Sequence, residues 1–193
     1  MRDPRINIAY KDLGEVVVSW NHLEWQLTEL VCCFGDPRTA QILTAHMKTN
    51  SLCDALRSFA ADSDADVKQA LEHGLLVFER LREYRNHFVH RTTCFVPIGG
   101  EEGPWAFTYS ISARKGLRVE HSEYSHTQLL EFQGWLEQLS NYLQELTRAL
   151  KARIEPNAEL AQSFAPWPQK LPVPDTPANA LRGHPTLQPR PQS

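Results

Sequence analysis

The stretch LLVFERLREYRNHFVH, residues 75–90, decides how this chain is read. Its apolar residues recur at helical spacing, so a step of about 100° per residue lays them on a wheel. Leu71, Leu75, Phe78 and Val89 share one sector, with Val77, Leu81 and Phe88 on its flank. Arg82 and Arg85 fall inside that apolar sector, while Asn86 and His90 line its polar border. The segment therefore reads as one long amphipathic helix that carries cations on its apolar side and a titratable imidazole near its end.

A guanidinium taken from water into an apolar setting is costly unless a carboxylate, a phosphate or several carbonyls meet it. An internal partner is available by spacing. The segment GEVVVSWNHLEWQLTELVCCF sets Trp20, Leu23, Leu27, Leu30 and Val31 on one helical face, and Glu24 falls among them. One expectation is therefore a buried pair of Glu24 with Arg82 or Arg85 that fixes helix register, His90 then simply complementing the negative end of a helix dipole. The other is an arginine reserved for a phosphate.

With 193 residues, 41% of them hydrophobic, and five Trp, the chain can bury one real core, and one domain over residues 1–155 is expected. Residues 156–193 differ, because nine of the 13 prolines fall there. Such density removes helix donors and favours extended chain, so this reads as a disordered or loosely docked tail, in which Phe164, Trp167 and Leu171 are the side chains able to dock. A net charge of −3 supplies no global basic field, so any nucleic-acid contact must be local. The four Cys show no C-x-x-C pair and read as core thiols, and the eight His lack metal-ligand spacing, so no metal or other cofactor is expected. No apolar run reaches membrane-spanning length, which suits a cytoplasmic chain without a membrane partner.

Along the chain, a first helix is expected from about residue 13 to 34, ended by Gly35-Asp36-Pro37, which also starts a second helix over residues 38–47. Thr49-Asn50-Ser51 reads as the cap of a third, with Ser51 and Asp54 at capping-box spacing. The motif helix follows the Asp62-Ser63-Asp64 cluster and runs to about His90. Trp105, Phe107, Tyr109 and Ile111 then alternate with small polar residues, predicting a small antiparallel hairpin or three-stranded insert over about residues 91–122. Ser125 and Gln128 open a last helix whose seam is Leu129, Phe132, Leu136, Leu139, Leu143, Leu146 and Leu150. The fold class is mainly α, a four- to five-helix bundle with an antiparallel β insert before the closing helix.

Arg85, Asn86 and His90 resemble the diagnostic element of the HEPN superfamily, an Arg followed after four to six residues by a His near the end of a bundle helix, with Asn commonly just after the Arg. The W-x-x-x-E-x-x-L pattern of Trp20, Glu24 and Leu27 and the order of elements over residues 10–153 are similar to that superfamily as well. The resemblance implies a HEPN-like bundle acting as a metal-independent endoribonuclease on single-stranded RNA, with a composite site at a homodimer interface. In that role Arg85 grips the phosphate, His90 moves protons as base or acid, and Asn86 orients one or the other. Glu24, Arg82 and His87 are supporting residues, and Trp105 and Tyr109 are candidates for base stacking. Arg85 and His90 lie about 140° apart on the wheel, a separation that pairing two copies across a two-fold axis relieves.

HEPN toxins controlled by a partner nucleotidyltransferase often carry a Tyr two residues beyond the motif His, where this chain has Thr92. That route of control is in doubt, and a toxin or phage-defence role with an antitoxin or defence-system partner is implied by analogy only. Two other classes stay open: a HEPN-fold protein that binds nucleotide or a partner without cleaving, and an unrelated helical interaction module.

Overall fold

A computed structural model of the chain describes residues 4–89, 92–94, 106–112, 118–124, 126–154 and 167–175, the side chains of residues 4–6, 9, 87 and 154 and of the three strands excepted. Five helices build a bundle: α1 (Pro4–Cys32), α2 (Pro37–Thr44), α3 (Thr49–Ala61), α4 (Ala65–Val89) and α5 (His126–Ile154). Between α4 and α5 the backbone forms strands β1 (Thr92–Cys94), β2 (Ala106–Ser112) and β3 (Arg118–Tyr124) in the order β1-β2-β3, with Thr92 opposite Tyr109 and Ser110 opposite Glu120. No helix among the described residues is long and apolar enough to cross a membrane.

The two longest helices carry most of the core. Val16, Trp20, Leu23, Leu27 and Leu30 of α1 are buried, as are Leu129, Phe132, Leu136, Leu139, Leu143, Leu146 and Leu150 of α5, each set at the three- and four-residue spacing of a single helical stripe. Burying one such side chain contributes about 1.5–3 kcal/mol, so these seams outweigh every polar contact in the bundle. Polar groups instead set register. Gln26, buried on α1, donates its Nε2 to the backbone oxygen and the hydroxyl of Ser140 on α5 at 3.2 and 3.0 Å. Tyr142 donates its hydroxyl to the Ala70 carbonyl of α4 at 2.8 Å, and burial pushes that phenol up to about 12. Such a buried phenol holds its bond because its hydroxyl would otherwise be left with neither partner nor water.

The helix starts differ from expectation in two places, and both have a tertiary cause. The first helix begins at Pro4 rather than near residue 13. Its extra turns end in Asp12, a buried carboxylate that meets His126 Nε2 at 2.6 Å at the start of α5, while the Asp12 carbonyl accepts from Gln133 at 3.0 Å. In α3 no side chain caps the N-terminus, where Lys48 is the extended preceding residue. The residues read as its caps are spent on neighbours: Thr49 bonds Glu24, Asn50 accepts from Arg82, and Asp54 pairs with Arg57 rather than completing a capping box. The Asp36 cap of α2 forms as read, accepting from the Thr39 N–H at 2.8 Å with Pro37 in the first turn.

Cys32, Cys33 and Cys53 are free and buried, and burial pushes the thiols of Cys33 and Cys53 up to about 11. That is the behaviour of packing residues, not of nucleophiles.

Candidate functional site

Arg85 lies in the penultimate turn of α4, where the core tapers. Upstream, Leu71, Leu75, Val77, Phe78 and Leu81 are almost wholly buried, and Phe88 closes the stripe beyond it. The stripe is thus centred nearer Val77 and Leu81 than the wheel suggested, because packing against α5 as well as α1 widens it on that side. Val89 and Arg82 fall at its border, half-buried, and Arg85 is half-buried near its end.

The face of Trp20 on α1 receives the Arg85 guanidinium, 5.9 Å from ring centre to charge. Trp20 is itself fixed on three sides. It packs on Phe78 with ring centres 4.7 Å apart, is 1% exposed, and donates its indole N–H to Glu24 Oε1 at 2.9 Å. A flat, weakly hydrated guanidinium is the cation best suited to an aromatic face, where Lys would lose the planar contact.

Glu24 does not form the ion pair expected of it with Arg82 or Arg85. Its carboxylate accepts from Trp20 and, at 2.6 Å, from the hydroxyl of Thr49 at the start of α3. The physical reason is the position of α3, whose first residue, Thr49, reaches the carboxylate, while its second, Asn50, takes up Arg82. Arg82, the other inward arginine by spacing, donates to Asn50 and lies 4.0 Å from Glu79 on its own helix. A polar seam therefore crosses the bundle from Glu24 through Thr49 and Asn50 to Arg82. Arg85 meets it at Trp20, whose indole N–H is bonded to Glu24.

Asn86 is exposed and accepts from Arg85 Nη1 at 3.4 Å. His90, the side chain of His87, Trp105 and the side chain of Tyr109 lie outside the described residues. Among the described residues no group of three or more His, Cys, Asp or Glu gathers as a cation would need. Arg85, Asn86 and Glu24 are brought to one region; Arg82 sits beside it, on the α3 side.

Protein-family models, curated proteins and solved structures contain no match to the chain.

Sequence reasoning missed the pair Asp12–His126, which ties α1 to the first turn of α5. Helices α1 and α4 run antiparallel, since Trp20 meets Phe78 and Arg85 while Cys33 and Phe34, just past the end of α1, line a hollow with Val67 and its preceding loop. Asp12 thus lies toward the same end of the bundle as the close of α4. Its signal in sequence was slight: one acid before the apolar stripe of α1 and one His in an expected first turn.

Proposed function

We propose that the chain is a HEPN-like, metal-independent endoribonuclease in which Arg85 holds the scissile phosphate of single-stranded RNA, with two copies pairing to complete the site. The observation that carries this reading is the setting of the motif arginine near the end of α4, half-buried with its guanidinium over the Trp20 face, while Glu24 is bonded to Trp20 and Thr49. A phosphate-binding role calls for a positioned guanidinium that solvent can reach.

The reaction suits these groups. The 2′-hydroxyl loses its proton to a base and attacks the adjacent phosphorus; the new 2′-O–P bond forms as the 5′-O–P bond breaks, and an acid returns a proton to the leaving 5′-oxygen. The products are a 2′,3′-cyclic phosphate and a 5′-hydroxyl. His90 is assigned the proton transfers, because imidazole titrates near neutrality. Arg85 stabilises the charge that builds on the phosphoryl oxygens through its bidentate fork, and Asn86, already in contact with Arg85, keeps that fork oriented. Arg82 and Glu24 support the helix faces on either side. The β insert and the start of α5 follow the motif directly and would border the RNA path, and a toxin or defence role, with or without an antitoxin, follows the same analogy.

Purified protein, in EDTA, is expected to cut single-stranded RNA to cyclic-phosphate ends and to leave a 2′-deoxy strand intact. Arg85→Ala and His90→Ala are each expected to lose the activity while staying folded. Cutting that persists in both variants would overturn the assignment, and a folded dimer that yields no product with any RNA would place the chain among non-catalytic binders of nucleotide or partner.

A further inference from the structure

Residues 167–175, WPQKLPVPD, lie against the bundle in neither helix nor strand. Their burial has a period of three: Pro168 and Pro174 are buried and Leu171 is half-buried between them, whereas Gln169, Lys170, Pro172 and Val173 are exposed. Three residues per turn is the repeat of the polyproline II helix, and prolines at 168, 172 and 174 hold the backbone near it. A segment that had merely collapsed on the surface would have no reason to keep one face down.

The bundle supplies the contacts that such a helix needs. It has no internal hydrogen bonds, so its carbonyls must find donors elsewhere. Tyr84 donates its hydroxyl to the Asp175 carbonyl at 2.8 Å, and the Leu171 backbone lies beside the His73 ring. At the other end the Arg153 guanidinium lies over the Trp167 ring at 4.1 Å, and Trp167 and Leu171 both pack on the core cluster. The distances along the two partners agree. From His73 to Tyr84 helix α4 rises about 16 Å. From Leu171 to Asp175 an extended proline-rich segment spans about 12 Å, and side-chain reach covers the difference.

We propose that this surface of α4 and the end of α5 is a recognition groove for proline-rich, aromatic-led extended peptides, and that the chain's own Trp167–Asp175 segment is its resident ligand in cis. Aromatic side chains that offer both a flat face and a hydrogen bond to a peptide carbonyl are how proline-rich helices are read elsewhere. Tyr84, the last anchor, is the residue before Arg85, so occupancy of the groove is set beside the motif end of α4. The inference rests on the docked segment and not on RNA cleavage.

The test uses the full chain. A fluorescent WPQKLPVPD peptide is titrated by anisotropy into wild type and into a Trp167→Ala, Leu171→Ala variant whose own segment is released. The released chain is expected to bind saturably, and wild type at least about tenfold more weakly because its groove is filled. A peptide with Ala in place of its Leu should bind the released chain about three- to tenfold more weakly, since a half-buried Leu contact is worth about that much. Arg153→Ala changes an exposed residue and gives a milder release, with an intermediate affinity expected, should the double variant fail to fold. Equal binding to every chain, no saturable binding to either released chain, or indifference to the Leu would overturn the proposal. So would a wild-type dimer that the peptide splits, because the segment would then dock from a second copy.

Discussion

Thr49 donates its hydroxyl to Glu24 across 2.6 Å, joining the start of α3 to the middle of α1 and engaging the one carboxylate that sequence spacing offers to the motif arginines. Glu24→Ala is expected to cost about 1–3 kcal/mol in chemical denaturation, because it strands the Trp20 indole N–H as well as Thr49. A double-mutant cycle should give a Glu24–Thr49 coupling of about 1 kcal/mol and a Glu24–Arg85 coupling within about 0.5 kcal/mol of zero. A Glu24–Arg85 coupling of several kcal/mol would restore the buried ion pair and remove the support for a phosphate-binding arginine.

Gly74 faces Tyr142 where α4 meets α5, and a Cβ there would lie 3.0 Å from the Tyr142 Cε1. In a helix interior, Gly→Ala normally gains about 0.5–1 kcal/mol. Here the ring cannot withdraw without breaking its bond to Ala70, and overpacking of a core costs about 1–3 kcal/mol. Gly74→Ala should therefore lower stability, and Gly74→Ala with Tyr142→Phe should recover part of the loss. A stabilised single variant in thermal melts would show that α4 and α5 are less closely packed than described.

His73 makes the docked tail pH-sensitive. Burial holds its imidazole below the usual range near 6.5, outweighing the opposite effect of the Leu171 backbone, and Lys170 on the segment also disfavours the charge. From α5 the ring is faced edge-on by Tyr142, which stays neutral, and its Nε2 is buried with no hydrogen-bond partner among the described residues. The released state takes up the proton first, so docking is at full strength above the ordinary imidazole pKa and weakens as pH falls through the depressed one. Hydrogen exchange along residues 167–175 is expected to quicken, relative to a pH-corrected peptide control, as pH drops from about 7.5 to about 5.5, and His73→Gln should flatten the response. Corrected exchange independent of pH in wild type would rule His73 out as the cause.

The helices of this bundle were legible because their apolar spacing is regular. The α5 seam from Leu129 to Leu150 is buried as read, and Gly35-Asp36-Pro37 punctuates the chain as its chemistry requires. What the spacing misassigned were polar residues with two possible employers. Thr49 and Asn50 look like caps, yet tertiary partners claim them, and Asp12 prolongs a helix that its local sequence would leave short. A wheel also cannot tell how wide a buried stripe becomes when two helices pack on it, which is why Arg82 fell at the border. The tail's composition announced extended chain, but its period-three burial depends on Tyr84, His73 and Arg153, which lie far from it in sequence.

The most direct test of the central claim is the rate of RNA cleavage in EDTA by Arg85→Lys, set beside its thermal melt. Lysine keeps the charge and loses the planar fork, so the account predicts a fall of about 10²–10³ in kcat with a melting curve close to wild type. A variant that cleaves at the wild-type rate, or one whose activity falls only as far as its fold is lost, would contradict a phosphate-holding role for Arg85.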